Sequence, residues 1–208
     1  GIYISLSYLF TTVSGSGLNI SKGTFYLNNF DLNAYRIDVS TGASFYTGNG
    51  TLTITGAVWV CSSGAVLYSE GSLILFSSGS AGSFFGGNNV YNKVQFAGST
   101  LINNDISGSN TIAELIVDAG RKVRFTAGTT QQIAKATIGA GVSIDSITAA
   151  THTLNFTGTD IVETDGISVK NSIATPTNKW YAGDGSTDLG GNIGWIFGSA
   201  FTPIVSWL

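Results

Sequence analysis

Charged residues are scarce in this 208-residue sequence. Lys, Arg, Asp and Glu together make up 10% of it, against about 25% in an ordinary soluble domain. The net charge of −3 argues against a nucleic-acid partner, because phosphate binding requires clustered basic residues. The densest basic stretch contains Arg121, Lys122 and Arg124, and we interpret it as the solvated face of one strand.

Sulfur and imidazole are nearly absent. The chain has one cysteine, one histidine and no methionine. A single cysteine excludes an internal disulfide. The absence of methionine, even at position 1, indicates that the chain is processed or is a piece of a longer one. Cys61 ends the apolar run Val58-Trp59-Val60-Cys61 and is predicted to be a buried thiol. His152 is predicted to lie at the surface or in a turn, which leaves a nucleophilic triad without a base.

Metal and cofactor motifs are also missing. One His and one Cys cannot supply a tetrahedral zinc set, and no Gly-x-x-x-x-Gly-Lys phosphate loop occurs. The loop from Asp184 to Asn192 carries oxygen ligands of the kind that calcium prefers, but it lacks the rest of a helix-loop-helix calcium site. Turn-forming Asp residues are the favoured interpretation, so we expect no cofactor and no metal.

Paired carboxylates are the one enzymatic option. A polysaccharide-cleaving β-helix needs two carboxyl groups about 5–9.5 Å apart. Asp160, Glu163 and Asp165 lie close together in the sequence, and Asp118 and Asp145 could stack with Asp160 on neighbouring coils. Chance explains such groupings among 12 acidic residues. We therefore expect no catalytic residue and no enzymatic activity, with a polysaccharide-degrading β-helix enzyme as the alternative.

Glycine is plentiful, with 28 residues against 2 prolines. Aliphatic and polar residues alternate in segments such as 51–55, 122–126 and 153–157, which is typical of strands. Turn signals such as Gly48-Asn49-Gly50 recur mostly about every 8–12 residues. This composition disfavours long helices, and the one weak helix candidate is the segment 130–136. The sequence therefore predicts an all-β fold.

An internal repeat favours a stacked architecture. Three segments share an aliphatic-x-Phe strand that runs into a Gly-Ser/Thr turn, and their phenylalanines are Phe96, Phe125 and Phe156. The interval between them is about 30 residues, and periods of about 20–50 residues are typical of solenoids, whose coils bury their apolar faces by stacking. We predict a parallel β-solenoid, or β-helix, of about seven to ten coils with roughly 20–30 residues each. A β-sandwich is the alternative.

The chain divides into three predicted parts. Residues 1–22 form an apolar N-terminal strand and assembly segment, residues 23–175 form the solenoid, and residues 176–208 form a C-terminal cap and tail. Trp180 and Trp195 flank a Gly/Asp loop in the last part. Aromatic residues of this kind would close the open end of a solenoid, where strand edges and apolar surface are otherwise exposed.

Tyrosine recurs on otherwise polar strands. Its ring is apolar and its hydroxyl is polar, which suits a surface that binds carbohydrate or protein. The alternative is a ladder of aromatic residues inside the core. The residues concerned are Tyr26, Tyr35, Tyr46, Tyr68 and Tyr91.

Several segments combine short alternating strands with Gly/Ser/Thr turns. They are residues 23–30, 50–56, 90–94, 122–131, 180–183 and 194–197. Together they resemble Gly/Ser/Thr-rich β-repeat proteins of tailed-phage structural modules and of uncultured bacterial surface proteins. The resemblance spans about residues 23–197 and is most specific in residues 122–131 and in the two closing aromatic segments. It implies tail, fibre or surface architecture and supplies no catalytic motif.

These observations predict a non-enzymatic structural component of an extracellular assembly. The expected role is a phage tail or capsid appendage, a fibre or spike with host-surface contact, and the alternative is a bacterial surface adhesin. The expected location is the virion, the extracellular space or the cell surface. Apolar residues 2–10 and 196–208 are expected to contact other copies in a homo-oligomer, a trimer by analogy with phage fibres. Other virion or surface proteins and cell-surface carbohydrate are further expected partners, and no apolar stretch is long enough to span a membrane.

Overall fold

The computed structural model of the chain describes residues 3–5, 10–11, 17–77, 79, 81–98 and 102–198. Strands and turns make up this part of the chain, and it contains no helix. None of its elements is therefore a helix that could cross a membrane. Its strands are β1 (Tyr3–Ser5), β2 (Phe10–Thr11), β3 (Gly17–Ile20), β4 (Gly23–Tyr26), β5 (Leu32–Val39), β6 (Ala43–Tyr46), β7 (Thr51–Cys61), β8 (Val66–Tyr68), β9 (Leu73–Phe76), β10 (Gly82–Phe85), β11 (Val90–Phe96), β12 (Asn103–Ser107), β13 (Thr111–Val117), β14 (Lys122–Phe125), β15 (Thr130–Ile138), β16 (Ser143–Ser146), β17 (His152–Phe156), β18 (Val162–Glu163), β19 (Ser168–Val169), β20 (Ser172–Thr175), β21 (Trp180–Tyr181), β22 (Thr187–Asp188) and β23 (Trp195–Ile196).

All the strand pairs in the described part of the chain are parallel. Most strands pair with a strand one coil earlier and a strand one coil later, so the chain winds as a β-solenoid of about eight turns. The predicted all-β solenoid is confirmed, and the β-sandwich alternative is wrong because a sandwich is built from antiparallel sheets.

Three faces enclose the core. The first face contains β1, β4, β6 and β8. The second face runs through β9, β11, β13, β15, β17 and β20, and the third through β10, β12, β14, β16, β19 and β22. β7 belongs to both of the longer faces, because its first half pairs with β9 and its second half pairs with β10. A further sheet contains β18, β21 and β23.

Inward-facing side chains stack as ladders from coil to coil. Because side chains alternate along a strand, every second residue points into the core, and parallel pairing in register places like residues above one another. One ladder on the second face consists of Leu32, Leu52, Ile74, Val94, Leu115 and Ala136, each paired with the next. The ladder beside it consists of Ala34, Ile54, Phe76, Phe96, Val117 and Ile138. The coil period is therefore about 21 residues.

The predicted interval between the phenylalanine motifs is not the coil period. Phe96 belongs to the second face, whereas Phe125 lies on the third face, where it pairs with Ile106. Phe156 returns to the second face but pairs with Ile133, in a different ladder from Phe96. All three rings are buried, so the motif marks the inward residue near the end of a strand and not one turn of the solenoid.

The weak helix candidate at residues 130–136 is wrong. These residues belong to β15 (Thr130–Ile138), which pairs on one side with β13 and on the other with β17. Ile133 points into the core between Ile112 and Phe156. The hydrogen bonds and the apolar burial that these two neighbours provide outweigh the modest helix propensity of Gln, Ala and Lys.

The two C-terminal tryptophans lie in register on neighbouring strands. Trp180 in β21 pairs with Trp195 in β23, with ring centroids 5.1 Å apart. Trp180 is fully buried and Trp195 nearly so, and the strands up to residue 196 continue the parallel pairing. The proposed division of the chain at residues 22 and 176 stays a prediction. Of the apolar stretches 2–10 and 196–208, residues 2, 6–9 and 199–208 lie outside the described residues.

Candidate functional site: a tyrosine ladder and the notch beside it

The outer surface of the first face is uncharged and partly aromatic. Strands β4, β6 and β8 pair in register, which aligns their outward residues in two rows. One row consists of Thr24, Ser44 and Val66. The other consists of Tyr26, Tyr46 and Tyr68, which we call the tyrosine ladder.

The rings of the tyrosine ladder stack on one another. Strands in a sheet lie about 4.8 Å apart, close to the distance at which parallel aromatic rings touch. The centroids of Tyr26 and Tyr46 are 4.5 Å apart at 21°, and those of Tyr46 and Tyr68 are 4.0 Å apart at 10°. Tyr46 therefore has a ring on either side of it, whereas Tyr68 stacks on Tyr46 and ends the row.

The hydroxyl groups of the ladder interact with each other. A hydrogen bond with Tyr68 is the main cause that raises the pKa of Tyr46 to about 12, and loss of hydration and the neighbouring phenols add to it. The hydrogen bond stabilises the protonated form of Tyr46 and so opposes the loss of its proton.

Replacing Tyr68 with phenylalanine should therefore lower the pKa of Tyr46 from about 12 towards 10, the value of an unperturbed tyrosine. Phenylalanine keeps the stacked ring and removes the hydroxyl that bonds to Tyr46. Ultraviolet absorbance titration of phenolate formation measures the change. Tyr35→Phe is the control and should leave the Tyr46 step near pH 12 in place. Burial also raises the pKa of Tyr91, so the comparison is of the step near pH 12, and an unchanged step there in Tyr68→Phe would contradict the hydroxyl contact.

The first face stops at β8, and this leaves a notch. In the described part of the chain β8 pairs with β6 only, since the next coil passes directly to β11 on the second face. The cavity beside the free edge of β8 measures about 360 Å³. It is lined by Leu67, Tyr68, Ser69, Glu70, Val90, Tyr91, Asn92 and Ala113, and we call it the notch.

Glu70 connects the notch with the side of the tyrosine ladder. It lines the notch and also a smaller hollow of about 190 Å³ beside Tyr26 and Tyr46. Asn28 and Asn29 line the same hollow and adopt left-handed backbone conformations with φ of 54° and 65°, which asparagine tolerates in turns. The ladder is thus bordered by amide and carboxylate groups.

The five predicted tyrosines separate into different environments. Tyr26, Tyr46 and Tyr68 form the outer ladder, as the surface interpretation predicts. Tyr91 is fully buried, accepts a hydrogen bond from Trp59 at 3.3 Å and donates one to the carbonyl of Gly86 at 2.8 Å, as the core interpretation predicts. Tyr35 is 45% exposed and lies outside the ladder, against Gly56 of the next coil.

His152 is buried, so its predicted surface or turn position is wrong. It starts β17, points into the core and stacks on Phe125 with ring centroids 4.5 Å apart. Its Nδ1 lies 2.8 Å from the hydroxyl of Ser146, and burial lowers its pKa to about 4. The Ser146–His152 pair is enclosed in the core, and the Ser146 hydroxyl also lies 3.2 Å from the carbonyl of Asn171. We assign the pair to packing.

The acidic residues do not form the predicted stack. Asp145 lies opposite Arg124 in the third face, and Arg124 makes a bidentate ion pair with Asp105 at 2.7 and 2.8 Å. Asp118 follows β13 and accepts hydrogen bonds from Gln95 and from the backbone of Gly98. The possibility that Asp118 and Asp145 stack on neighbouring coils is therefore wrong, because different faces hold them.

The other predicted acidic residues lie at the surface. Asp160, Glu163 and Asp165 are exposed, and Asp165 accepts a hydrogen bond from the backbone of Gly185 at 2.7 Å. Asp188 accepts bonds from the backbone of Gly190 and from the amide of Asn192, which supports turn formation in the loop 184–192. The described residues contain no group of three or more His, Cys, Asp or Glu side chains that could hold a metal ion.

The prediction for the basic stretch is wrong in part, and the prediction for the cysteine is confirmed. Arg121 is fully buried, so the interpretation of the stretch 121–124 as one solvated strand face is wrong at this residue. Burial also lowers the pKa of Arg121. Cys61 is buried as predicted, and burial raises its pKa to about 11, which disfavours the reactive thiolate.

Comparison with known proteins adds no family assignment. No protein-family model, no curated protein and no solved structure matches the chain. The candidate site therefore rests on its own geometry. Sequence reasoning identified the tyrosines of the ladder but missed Glu70, Val90 and Asn92, which come together only where the first face ends.

Proposed function

We propose that the protein is a non-enzymatic structural unit of an extracellular assembly, in the first instance a tail or capsid appendage of a phage. The observation that carries this proposal is the stacking of parallel coils through the whole described part of the chain. A rod of stacked strands holds its side chains at fixed spacings along an extended surface, which suits a fibre, a spike or a surface protein.

The arrangement of charge supports the same proposal. Glu114 pairs with Lys93 of the preceding coil at 2.7 Å and with Lys135 of the following coil at 2.8 Å. These pairs hold the Glu114 carboxylate within the rod, and the low total charge of the chain leaves little repulsion between copies placed side by side. Low repulsion favours a homo-oligomer, for which we propose a trimer.

We expect the isolated chain to form a defined oligomer, with a trimer as the proposed state. Native mass spectrometry and light scattering at several concentrations measure it, and electron microscopy should show rods. A chain that stays monomeric at micromolar and higher concentrations would contradict the assembly proposal. The solenoid fold would be unaffected by that result.

Two alternatives predict different observations. A bacterial surface adhesin would have the same physical properties, and its gene would lie among bacterial genes and not beside genes for virion proteins. A polysaccharide-degrading enzyme would release fragments from bacterial capsular polysaccharide or exopolysaccharide. Turnover that is abolished by Asp160→Asn or by Glu163→Gln would replace the structural proposal with the enzymatic one.

A further inference from the structure

We propose that the notch binds a neutral sugar residue of a surface polysaccharide, with the sugar ring stacked on the outer face of Tyr68. The inference rests on the proposed function, in which the protein belongs to a fibre, a spike or another extracellular assembly, and it names a ligand class and its position. It follows from three features of the described residues: an aromatic ring at the end of a stack, polar groups around that ring, and a surface too small for a protein partner.

The first feature is the position of Tyr68. Tyr46 covers one side of its ring at 4.0 Å, while β8 is the last strand of the first face. The ring is consequently 44% exposed and forms part of the wall of the notch. A sugar ring has an apolar face of C–H groups and a rim of hydroxyls, so a flat aromatic ring with a polar surround is complementary to it.

The second feature is the rim of the notch. Glu70 supplies a carboxylate that accepts hydrogen bonds, and it adopts a backbone conformation with φ of 22° that few non-glycine residues take up. The amide of Asn92 donates to the carbonyl of Ser72 at 3.3 Å, and Ser69 donates to the carbonyl of Val90 at 3.1 Å. These bonds fix the wall of the notch, and Glu70 is then the group placed to accept a bond from a sugar hydroxyl.

The third feature is size. The exposed surface of β4, β6 and β8 measures about 14 Å across three strands and about 13 Å along four residues, or roughly 200 Å². A stable protein interface buries about 800 Å² on each partner, so this patch alone is too small for a second copy of the chain. The notch of about 360 Å³ lies within the usual range of small-ligand sites, about 300–1,000 Å³.

Charge then selects the kind of sugar. The outward residues of the three strands are uncharged, and Glu70 carries the one carboxyl group among the residues that line the notch. A carboxylate repels an anionic sugar and accepts bonds from the hydroxyls of a neutral one. A hexose or an N-acetylhexosamine is therefore favoured over a uronic acid.

The experiment uses the full chain and a panel of oligosaccharides. One arm contains neutral hexose and N-acetylhexosamine oligomers, and the other contains oligomers with uronic acids. Binding is measured by saturation-transfer NMR and by calorimetry. We expect binding in the neutral arm only, with Tyr68→Ala weakening it by about tenfold or more, which corresponds to about 1.4 kcal/mol. Glu70→Gln should weaken it several-fold.

Tyr35→Ala is the matched control. Tyr35 is 45% exposed, as is Tyr68 at 44%, but it lies outside the ladder and the notch, so its removal should change binding less than about twofold. Tyr68→Phe keeps the ring and should retain most of the affinity. These outcomes would overturn the inference: no binding to any panel member, preference for the acidic arm, full binding by Tyr68→Ala, or equal losses in Tyr68→Ala and Tyr35→Ala.

The mass measurement separates this inference from the assembly proposal. A chain that forms the expected oligomer but binds no sugar overturns the inference alone. A monomer that binds neutral sugar through Tyr68 overturns the assembly proposal alone.

Discussion

Phe84→Ala should lower the free energy of unfolding by about 3–5 kcal/mol. Phe84 is fully buried on the third face, and its ring centroid lies 4.8 Å from that of Tyr91, 6.2 Å from that of Phe76 and 6.5 Å from that of Trp59. Removing the ring leaves a cavity among aromatic side chains that the stacked strands hold in place. Chemical denaturation followed by tryptophan fluorescence measures the loss.

The neighbouring residue provides an unusually close control. Phe85 has the same side chain in the same strand but points outwards and is 43% exposed. Phe85→Ala should therefore cost at most about 1 kcal/mol. Equal losses in the two variants, or a larger loss for Phe85→Ala, would show that the inward and outward positions of β10 are assigned the wrong way round.

Acid should destabilise the fold through His152. Burial lowers its pKa from 6.5 to about 4 in the folded chain, whereas in the unfolded chain it binds a proton near pH 6.5. The unfolded state therefore gains protons before the folded state as the pH falls. The contribution of the buried neutral His152 to the free energy of unfolding is complete above about pH 6.5. It is lost progressively down to about pH 4, by a total of about 3 kcal/mol.

His152→Gln tests the acid effect, because glutamine can still bond to Ser146 but does not titrate. Denaturation midpoints measured between pH 7 and pH 4 should fall steeply for the native chain and less steeply for the variant. Glu114 also contributes to the pH dependence, because its contacts with Lys135 and Lys93 lower its pKa. This contribution is lost below about pH 4.5 and is the same in the native protein and in the variant. Parallel pH profiles for the two proteins would contradict the assignment.

The fold class could be predicted because local pattern and long-range pairing agree in this chain. Segments 51–55, 122–126 and 153–157 alternate aliphatic with polar residues, and they lie almost wholly within β7, β14 and β17. Such strands need partners on both edges and apolar cover on one side. Repeated stacking supplies both, so the many Gly turns and short strands indicated a solenoid.

The period could not be taken from the phenylalanine motif, because one coil contains more than one strand that ends in the same way. The step from Phe96 to Phe125 covers about one and a half coils, so the motif moves to another face. The true period is visible in Thr24-Phe25-Tyr26, Ser44-Phe45-Tyr46 and Val66-Leu67-Tyr68, which recur once in each of three successive coils. Their shared feature is an inward apolar residue followed by an outward tyrosine.

The candidate site could be predicted only in part. The spacing of Tyr26, Tyr46 and Tyr68 identifies the ladder once the period is known. The notch depends on where the first face ends, and the sequence of β11 carries no local signal that its coil lacks a strand of the first face. His152 was misplaced for a similar reason, since Phe125 covers it from the preceding coil.

The coil as a unit of about 21 residues has a genetic consequence. Each coil contacts mainly the coils before and after it, and the chain already drops the first face after β8 without interrupting the second and third. Duplication or deletion of one such unit would lengthen or shorten the rod by about 4.8 Å and keep the remaining ladders in register. The reach of the protein can thus evolve in single-coil steps by recombination within its own gene, independently of the residues around Tyr68.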